Sequence, residues 1–214
     1  MWCKPLRISS RNCFCNNRCA RHRTAAAGKF WTARQVVVNL RFAMSQVPKW
    51  FERKFDFSFP TELHPNLCIR LRGAPARLEE LVRECSCEVL VRKREDKWSA
   101  QEHAGHLLDV EPLWMARVKD FVVGGSELTV ADLSNRKTHE ANHNARSIAE
   151  ILADFRKARL RLVNCVQEKD PALFGRSLLH PRLKKPMRLV DHLYFVAEHD
   201  DHHLAWIWEL IDAH

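Results

Sequence analysis

The chain has 214 residues, 46% of them hydrophobic and 29% charged, which is enough for one sizeable core. Its formal net charge of +9 is confined to residues 1–43, which hold nine Lys or Arg and no Asp or Glu; the rest carries 26 basic and 26 acidic residues. This balance argues against a nucleic-acid-binding face on the folded part, and the lack of a sufficiently long apolar run argues against a membrane span.

The basic N-terminal segment has three interpretations. It is Arg-rich and acid-free like an organelle presequence, although Ser9 and Ser10 are its main serines. It also resembles a disordered basic arm. We favour a third interpretation, in which Met44 is the true start, because apolar periodicity, acidic residues and helix signals all begin there. The predicted organisation is an extension over 1–43 and one domain over 44–214.

The cysteines divide equally between these two segments. No secretory signal precedes them, so free thiols in a reducing cytoplasm are the expectation. The extension contains one set of residues that could form a zinc knuckle: Cys13, Cys15, Cys19 and His22. Their spacing fits none of the common zinc-binding patterns, which argues against such a site.

After an aromatic arm around Trp50 to Phe59, the chain shows four amphipathic segments of helical period. Gly73 and Pro75 are candidate kinks in the first, and Ser99 with Glu102 forms a capping-box pattern that opens the second. One extended piece is predicted around Ser177–His180. The pattern predicts an all-α four-helix bundle. The predicted helices run from about Thr61 to Val91, Ser99 to Val123, Ala145 to Gln167, and Leu189 to Ala213.

The last segment contains histidines in its apolar stripe. At 100° per residue, His199 and His203 lie about 40° apart at the centre of that stripe, whereas His202 lies at its edge. Two imidazoles directed into a core need partners, because an unsatisfied buried polar group costs about 1–3 kcal/mol. A shared metal ion is one such partner, and core hydrogen bonds are the alternative.

The second segment supplies a third candidate ligand. His106 is central on its own stripe, and a bundle can bring it against His199 and His203. Three imidazoles leave coordination positions open for water or substrate, as in catalytic sites. Asp109 and Glu102 are near enough along the helix to orient ligand N–H groups. A polar core cluster without metal remains the alternative.

Two stretches carry a family resemblance: W-S-x-x-E-H-x-x-H-L-x-D from Trp98 to Asp109, and H-D-x-H-H from His199 to His203. They resemble the DinB-like (YfiT-type) superfamily of metal-dependent proteins, over nearly all of 44–214. The resemblance implies an up-down-down-up bundle, often a homodimer, with metal bound by His106, His199 and His203. The chain departs from the family pattern at Arg188, where a Ser or Thr cap is common, and at Pro112, which should distort the second helix.

The family resemblance leaves the reaction open. Members resemble metal hydrolases, and some are S-transferases that use small thiols such as bacillithiol, mycothiol or glutathione. The sequence therefore predicts a divalent-metal enzyme acting on a small-molecule substrate, with thiol transfer slightly favoured over hydrolysis. Three-imidazole sites suit zinc, nickel, copper and iron alike, so the metal is not specified.

Two rival functions compete with this prediction. The stretch from His139 to His143 reads H-E-x-x-H, the pattern of zinc metalloproteases, but its flanks lack an apolar stripe and predict a polar loop. A more modest alternative for this loop is that Asn142 or His143 lines the mouth of the bundle's metal site. The other rival is a bundle that binds metal or a partner without turnover.

Overall fold

The computed structural model describes residues 47–95 and 97–212, so the predicted extension over 1–43 lies outside the described residues. The described part is mainly helical. In chain order its elements are α1 (His64–Val82), α2 (Cys87–Val91), α3 (Ala100–Asp109), α4 (Glu111–Val123), α5 (Arg136–Glu140), α6 (Ile148–Gln167), β1 (Ser177–His180), β2 (Lys185–Arg188) and α7 (Leu189–Asp212).

The long helices form a four-helix bundle in which α3 and α4 together make one member. One apolar cluster joins the first half of α1 to the end of α4, the end of α6 and the first half of α7. A second joins the end of α1 to the start of α3, the start of α6 and the second half of α7. Helices α1 and α7 therefore run one way and the other two members run the opposite way. This up-down-down-up topology confirms the prediction.

The second bundle member begins and breaks where the sequence indicates. Ser99 and Glu102 form the capping box, each side chain bonded to the other's backbone N–H. The helix is interrupted at Val110, and Pro112 lies in the first turn of α4, where its missing N–H costs no helical hydrogen bond. The distortion predicted from Pro112 thus falls one turn beyond His106 and leaves that residue in a regular helix.

The first helix is shorter than predicted and is continuous through its two candidate kink positions. It ends at Val82 rather than continuing to Val91, and it runs without interruption through Gly73 and Pro75. Proline at this position cannot bond to the carbonyl of Leu71, four residues earlier. That carbonyl instead accepts a hydrogen bond from Arg159 Nη1 at 3.3 Å. The helix therefore continues through Pro75, and a side chain of α6 satisfies the carbonyl that the proline leaves free.

A hairpin and the aromatic arm close one end of the bundle. Strand β1 occupies the predicted extended piece and pairs antiparallel with β2, which periodicity had not indicated because it includes Pro186. At the start of α7, Arg188 bonds to Asp191 and to the carbonyls of Phe57 and Phe59. The arginine that replaces a Ser or Thr thus ties the arm to this helix. None of the helices in the described part is long and apolar enough to span a bilayer.

Candidate metal centre

Three histidines from two bundle members meet in the interior. His106 of α3 faces His199 and His203 of α7, and all three are at least nine-tenths buried. Their candidate ligand nitrogens lie within 4.8 Å of one another. Helix α7 supplies two of them because residues four apart share one face. The three positions are those predicted from the helical stripes.

The spacing of the Nε2 atoms fits a metal-binding geometry. His199 Nε2 lies 3.4 Å from His106 Nε2 and 3.3 Å from His203 Nε2. Zinc–imidazole bonds of about 2.0–2.1 Å in a tetrahedron would separate two ligand nitrogens by about 3.3–3.4 Å. The two Nε2 separations that involve His199 therefore match the spacing around a tetrahedral ion.

A hydrogen-bond chain sets the tautomer of His106. The Thr138 hydroxyl donates to Asp109 Oδ2 at 3.0 Å, so its oxygen is left to accept from His106 Nδ1, also at 3.0 Å. With the proton on Nδ1, the Nε2 lone pair of His106 faces the other two histidines. This is the arrangement by which outer residues commonly orient a metal-ligating histidine.

A fourth buried imidazole contacts the cluster from the side. His103 Nδ1 lies 2.8 Å from His203 Nδ1. If His203 Nδ1 donates in this contact, its Nε2 carries the lone pair and points toward His106 and His199. His103 was not predicted to act here, although its position beside His106 on the same stripe was a usable signal.

Burial keeps these imidazoles neutral. Burial, with a smaller contribution from neighbouring histidines, lowers the pKa of His103 to about 3. The pKa of His106 is lowered to about 4, because burial outweighs the opposing effect of the Asp109 carboxylate. The pKa values of His199 and His203 are likewise well below the ordinary 6.5, mainly through burial. Neutral imidazole is the form that binds metal, so no proton would have to be displaced from these nitrogens near neutral pH.

The loop that enters α6 supports Asp109. His143 Nε2 lies 2.7 Å from Asp109 Oδ2, and its ring packs so closely on Gly105 that any Cβ there would overlap it. Gln101 holds this loop by donating to the carbonyl of His143. Burial alone would raise the pKa of Asp109, but its bonds to His143 and Thr138 hold it below the ordinary value. Asp109 is therefore a carboxylate that accepts from both.

Other predicted residues have different places. Glu102 bonds to the Ser99 N–H and to Lys93, and neither contact involves a histidine, so an orienting role for Glu102 is not supported. His139 is exposed while His143 is buried on Asp109, so the H-E-x-x-H pair does not converge on one point. The loop is polar, as predicted, but His143 is buried within it, and neither Asn142 nor His143 lines the cavity beside the three histidines. No periodicity in the loop could have shown the burial of His143.

A cavity of about 600 Å³ opens onto the three histidines. Its walls near them are aromatic: Trp50 and Trp114 each pack edge-on against the His199 ring, with ring centroids 5.1 and 5.3 Å away. His202 lies on the cavity wall, as its position at the edge of the stripe suggested. A small organic molecule could therefore reach the cluster, and apolar walls would exclude much of the water around it.

The family model for the DinB superfamily matches residues 70–207, which span both histidine-bearing helices. The chain belongs to the DinB superfamily. The solved structure of YfiT from Bacillus subtilis is similar, with a TM-score of 0.65 and 22% identity, covering 76% of this chain and 93% of YfiT. YfiT is described as a probable metal-dependent hydrolase with an unusual four-helix bundle topology. Curated proteins give no match.

Proposed function

We propose that this DinB-superfamily member is a divalent-metal-dependent enzyme acting on a small molecule, with the metal held by His106, His199 and His203. One observation carries the proposal. Three buried, neutral imidazoles converge beside an open cavity, and His199 Nε2 lies at tetrahedral spacing from the Nε2 atoms of both His106 and His203. The resemblance to YfiT supports the same class of site.

The chain supplies positioning and exclusion of water. Thr138 and Asp109 hold the His106 ring, and His103 holds that of His203. Trp50 and Trp114 confine the space beside His199. When bound, a divalent metal at such a site lowers the pKa of a water or thiol that occupies its open coordination position.

The reacting nucleophile is expected to come from solution. The free cysteines in the described part are Cys68, Cys85, Cys87 and Cys165, and none of them lines the cavity. A low-molecular-weight thiol would serve in a transferase, and water in a hydrolase. We favour thiol transfer, on the family resemblance, as the finer prediction.

Turnover measurements test this function. The purified chain is assayed with electrophilic acceptors plus small thiols and, in parallel, with ester and amide substrates. Activity should disappear with chelator and return with added metal; a transferase would also saturate with thiol, whereas a hydrolase would not respond to it. His203→Ala should abolish activity and the exposed His139→Ala should not. Metal-loaded protein that turns over none of these substrates would favour a binding bundle instead.

A further inference from the structure

Two arginines line the cavity without an acidic partner. Arg117 of α4 is 2% exposed, and Arg182 lies in the hairpin turn. Among residues 47–95 and 97–212, neither forms an ion pair with a carboxylate. Arg182 Nη2 is buried without any hydrogen-bond partner in that part of the chain. Burying positive charge without compensation is costly, so these guanidinium groups are candidates for binding an external anion.

His180, between the two arginines, adds a further unsatisfied donor. Its Nδ1 accepts from the backbone N–H groups of Arg182 and Leu183, at 3.2 and 3.1 Å. Its Nε2 must then carry the proton of the neutral ring, yet it lies 3.2 Å from Arg117 Nη1, which can only donate. Burial and the two arginines keep this imidazole neutral by lowering its pKa to about 3. The N–H groups of Arg117, His180 and Arg182 that meet here therefore lack an acceptor that could bond to them.

The acidic side chains on the cavity wall do not supply that acceptor. Glu127 faces Lys184, with 3.8 Å between the charged atoms. Asp132 is exposed and accepts from Ser134 and from the backbone N–H of Arg136. Asp120 is not part of that wall; it accepts from Thr129, and its charge raises the pKa of Arg117 by less than burial lowers it. The surplus positive charge therefore stays with the inner arginines.

Aromatic rings place both arginines near the histidine cluster. Arg117 lies 5.6 Å from the Trp114 ring, and Arg182 lies 5.9 Å from the Trp50 ring. Each of these two rings also contacts His199. One aromatic ring thus separates each guanidinium group from the candidate metal centre, a distance that a small molecule of a few bonded atoms can bridge.

We propose that Arg117, His180 and Arg182 form an oxyanion subsite that binds a carboxylate or phosphate of the substrate, with the reactive part directed at the three histidines. Planar guanidinium groups match the geometry of both anions. The aromatic walls fit an apolar body between the two ends. This inference rests on the proposed function and assigns its substrate class: a small amphiphilic oxyanion.

Binding without turnover tests the subsite. Benzoate, phenyl phosphate and the neutral analogue benzamide are titrated calorimetrically into the purified chain, before and after chelator treatment. At least one anion should bind about tenfold or more tightly than benzamide in both states, and the tighter anion identifies the head group. Equal binding of anions and benzamide would overturn the proposal. So would anion binding that disappears with chelator, because the anion would then be held by the metal.

Matched variants locate the anion. Arg182→Gln should weaken binding of the preferred anion by about tenfold or more while leaving benzamide unchanged, and Arg182→Lys should fall in between. Arg72→Gln, at an exposed position on α1, should change neither. Circular dichroism and melting confirm that each variant is folded. Unchanged anion binding by folded Arg182→Gln would contradict the assignment.

The two proposals fail separately. If the chain binds one metal but does not distinguish benzoate or phenyl phosphate from benzamide, the subsite is wrong and the metal centre stands. If it binds the anion but never binds metal, the proposed metal-dependent function is wrong and the subsite stands.

Discussion

Two buried polar clusters share helix α7 on consecutive residues. His199 joins the three-histidine cluster, while the next residue, Asp200, turns toward α6 and bonds to Arg159, which also bonds to Glu111 and to the Leu71 carbonyl. In the arginine cluster all five N–H groups of Arg159 have acceptors. The histidine cluster keeps free lone pairs and opens to a cavity. The guanidinium group of the arginine cluster is saturated, while Glu111 Oε2 is buried without a hydrogen-bond partner in the described residues and burial raises the pKa of Glu111 to about 7. The arginine cluster serves the fold, whereas the histidine cluster, which opens to a cavity, can take a ligand.

Loss of Arg159 should produce the largest change in stability. Arg159→Met leaves two buried carboxylates and the Leu71 carbonyl without a donor, so the free energy of unfolding should fall by about 3–5 kcal/mol. Arg156→Met, which removes an exposed contact with Glu79, should cost less than about 1 kcal/mol. Urea unfolding measures both. Similar small losses would mean that the arginine cluster contributes little to the fold.

The histidine cluster should make the metal-free protein acid-sensitive. The folded pKa values of His103 and His106 lie below the ordinary 6.5 because burial disfavours their charged forms. The metal-free protein therefore loses no stability through these histidines above pH 6.5. Its free energy of unfolding decreases as the pH falls from 6.5 toward about 4, because the unfolded chain binds protons that the folded chain does not. For each histidine that stays neutral in the folded state, the free energy of unfolding should be about 2 kcal/mol lower at pH 5 than at pH 7.5. Urea midpoints that do not change over this range would contradict the burial of neutral imidazoles.

Two glycines test the packing around the histidine cluster. Gly105→Ala should cost about 1–3 kcal/mol, because its Cβ would displace the His143 ring from Asp109. Gly73→Ala, inside α1 with no atom near its added Cβ, should instead stabilise by up to about 1 kcal/mol. Thermal melting compares the pair. Equal effects would remove the reason for glycine at position 105.

Thr138→Val should have a modest effect on stability and a larger one on metal binding. It keeps the side-chain shape but removes the hydroxyl between His106 and Asp109, at a cost of about 1–1.5 kcal/mol. Metal affinity should fall by about 10–100-fold. Competition with a chelator of known affinity measures it. An unchanged affinity would show that the hydrogen-bond chain does not orient His106.

Features that follow the helical period could be predicted from the sequence. The apolar stripes that contain His106, His199 and His203 predicted the histidine cluster, and the capping box at Ser99 predicted the start of α3. Partners from the short segment between α4 and α6 had no such signal: Thr138, in the five-residue helix α5, and His143, which follows it, both bond to Asp109. The Leu71 carbonyl that Pro75 leaves free is satisfied by Arg159, through a contact between helices that local preference does not encode.

The predicted homodimer, the cytoplasmic location and the start at Met44 stay predictions. The metal is the more central question, because the proposed reaction and the contrast between the two clusters both depend on it. Alanine variants of the three proposed ligands can be compared with alanine variants of two other histidines, His139 and His202, as matched controls. His139 is exposed, and His202 lies on the cavity wall outside the three-histidine cluster.

Metal content of the purified chain, measured by elemental mass spectrometry, tests the account most directly. We predict about one divalent ion per chain, lost in His106→Ala, His199→Ala and His203→Ala and retained in His139→Ala and His202→Ala. A chain that holds no ion after incubation with zinc, nickel or iron, or three folded ligand variants that keep it, would contradict the assignment of these histidines as a metal centre.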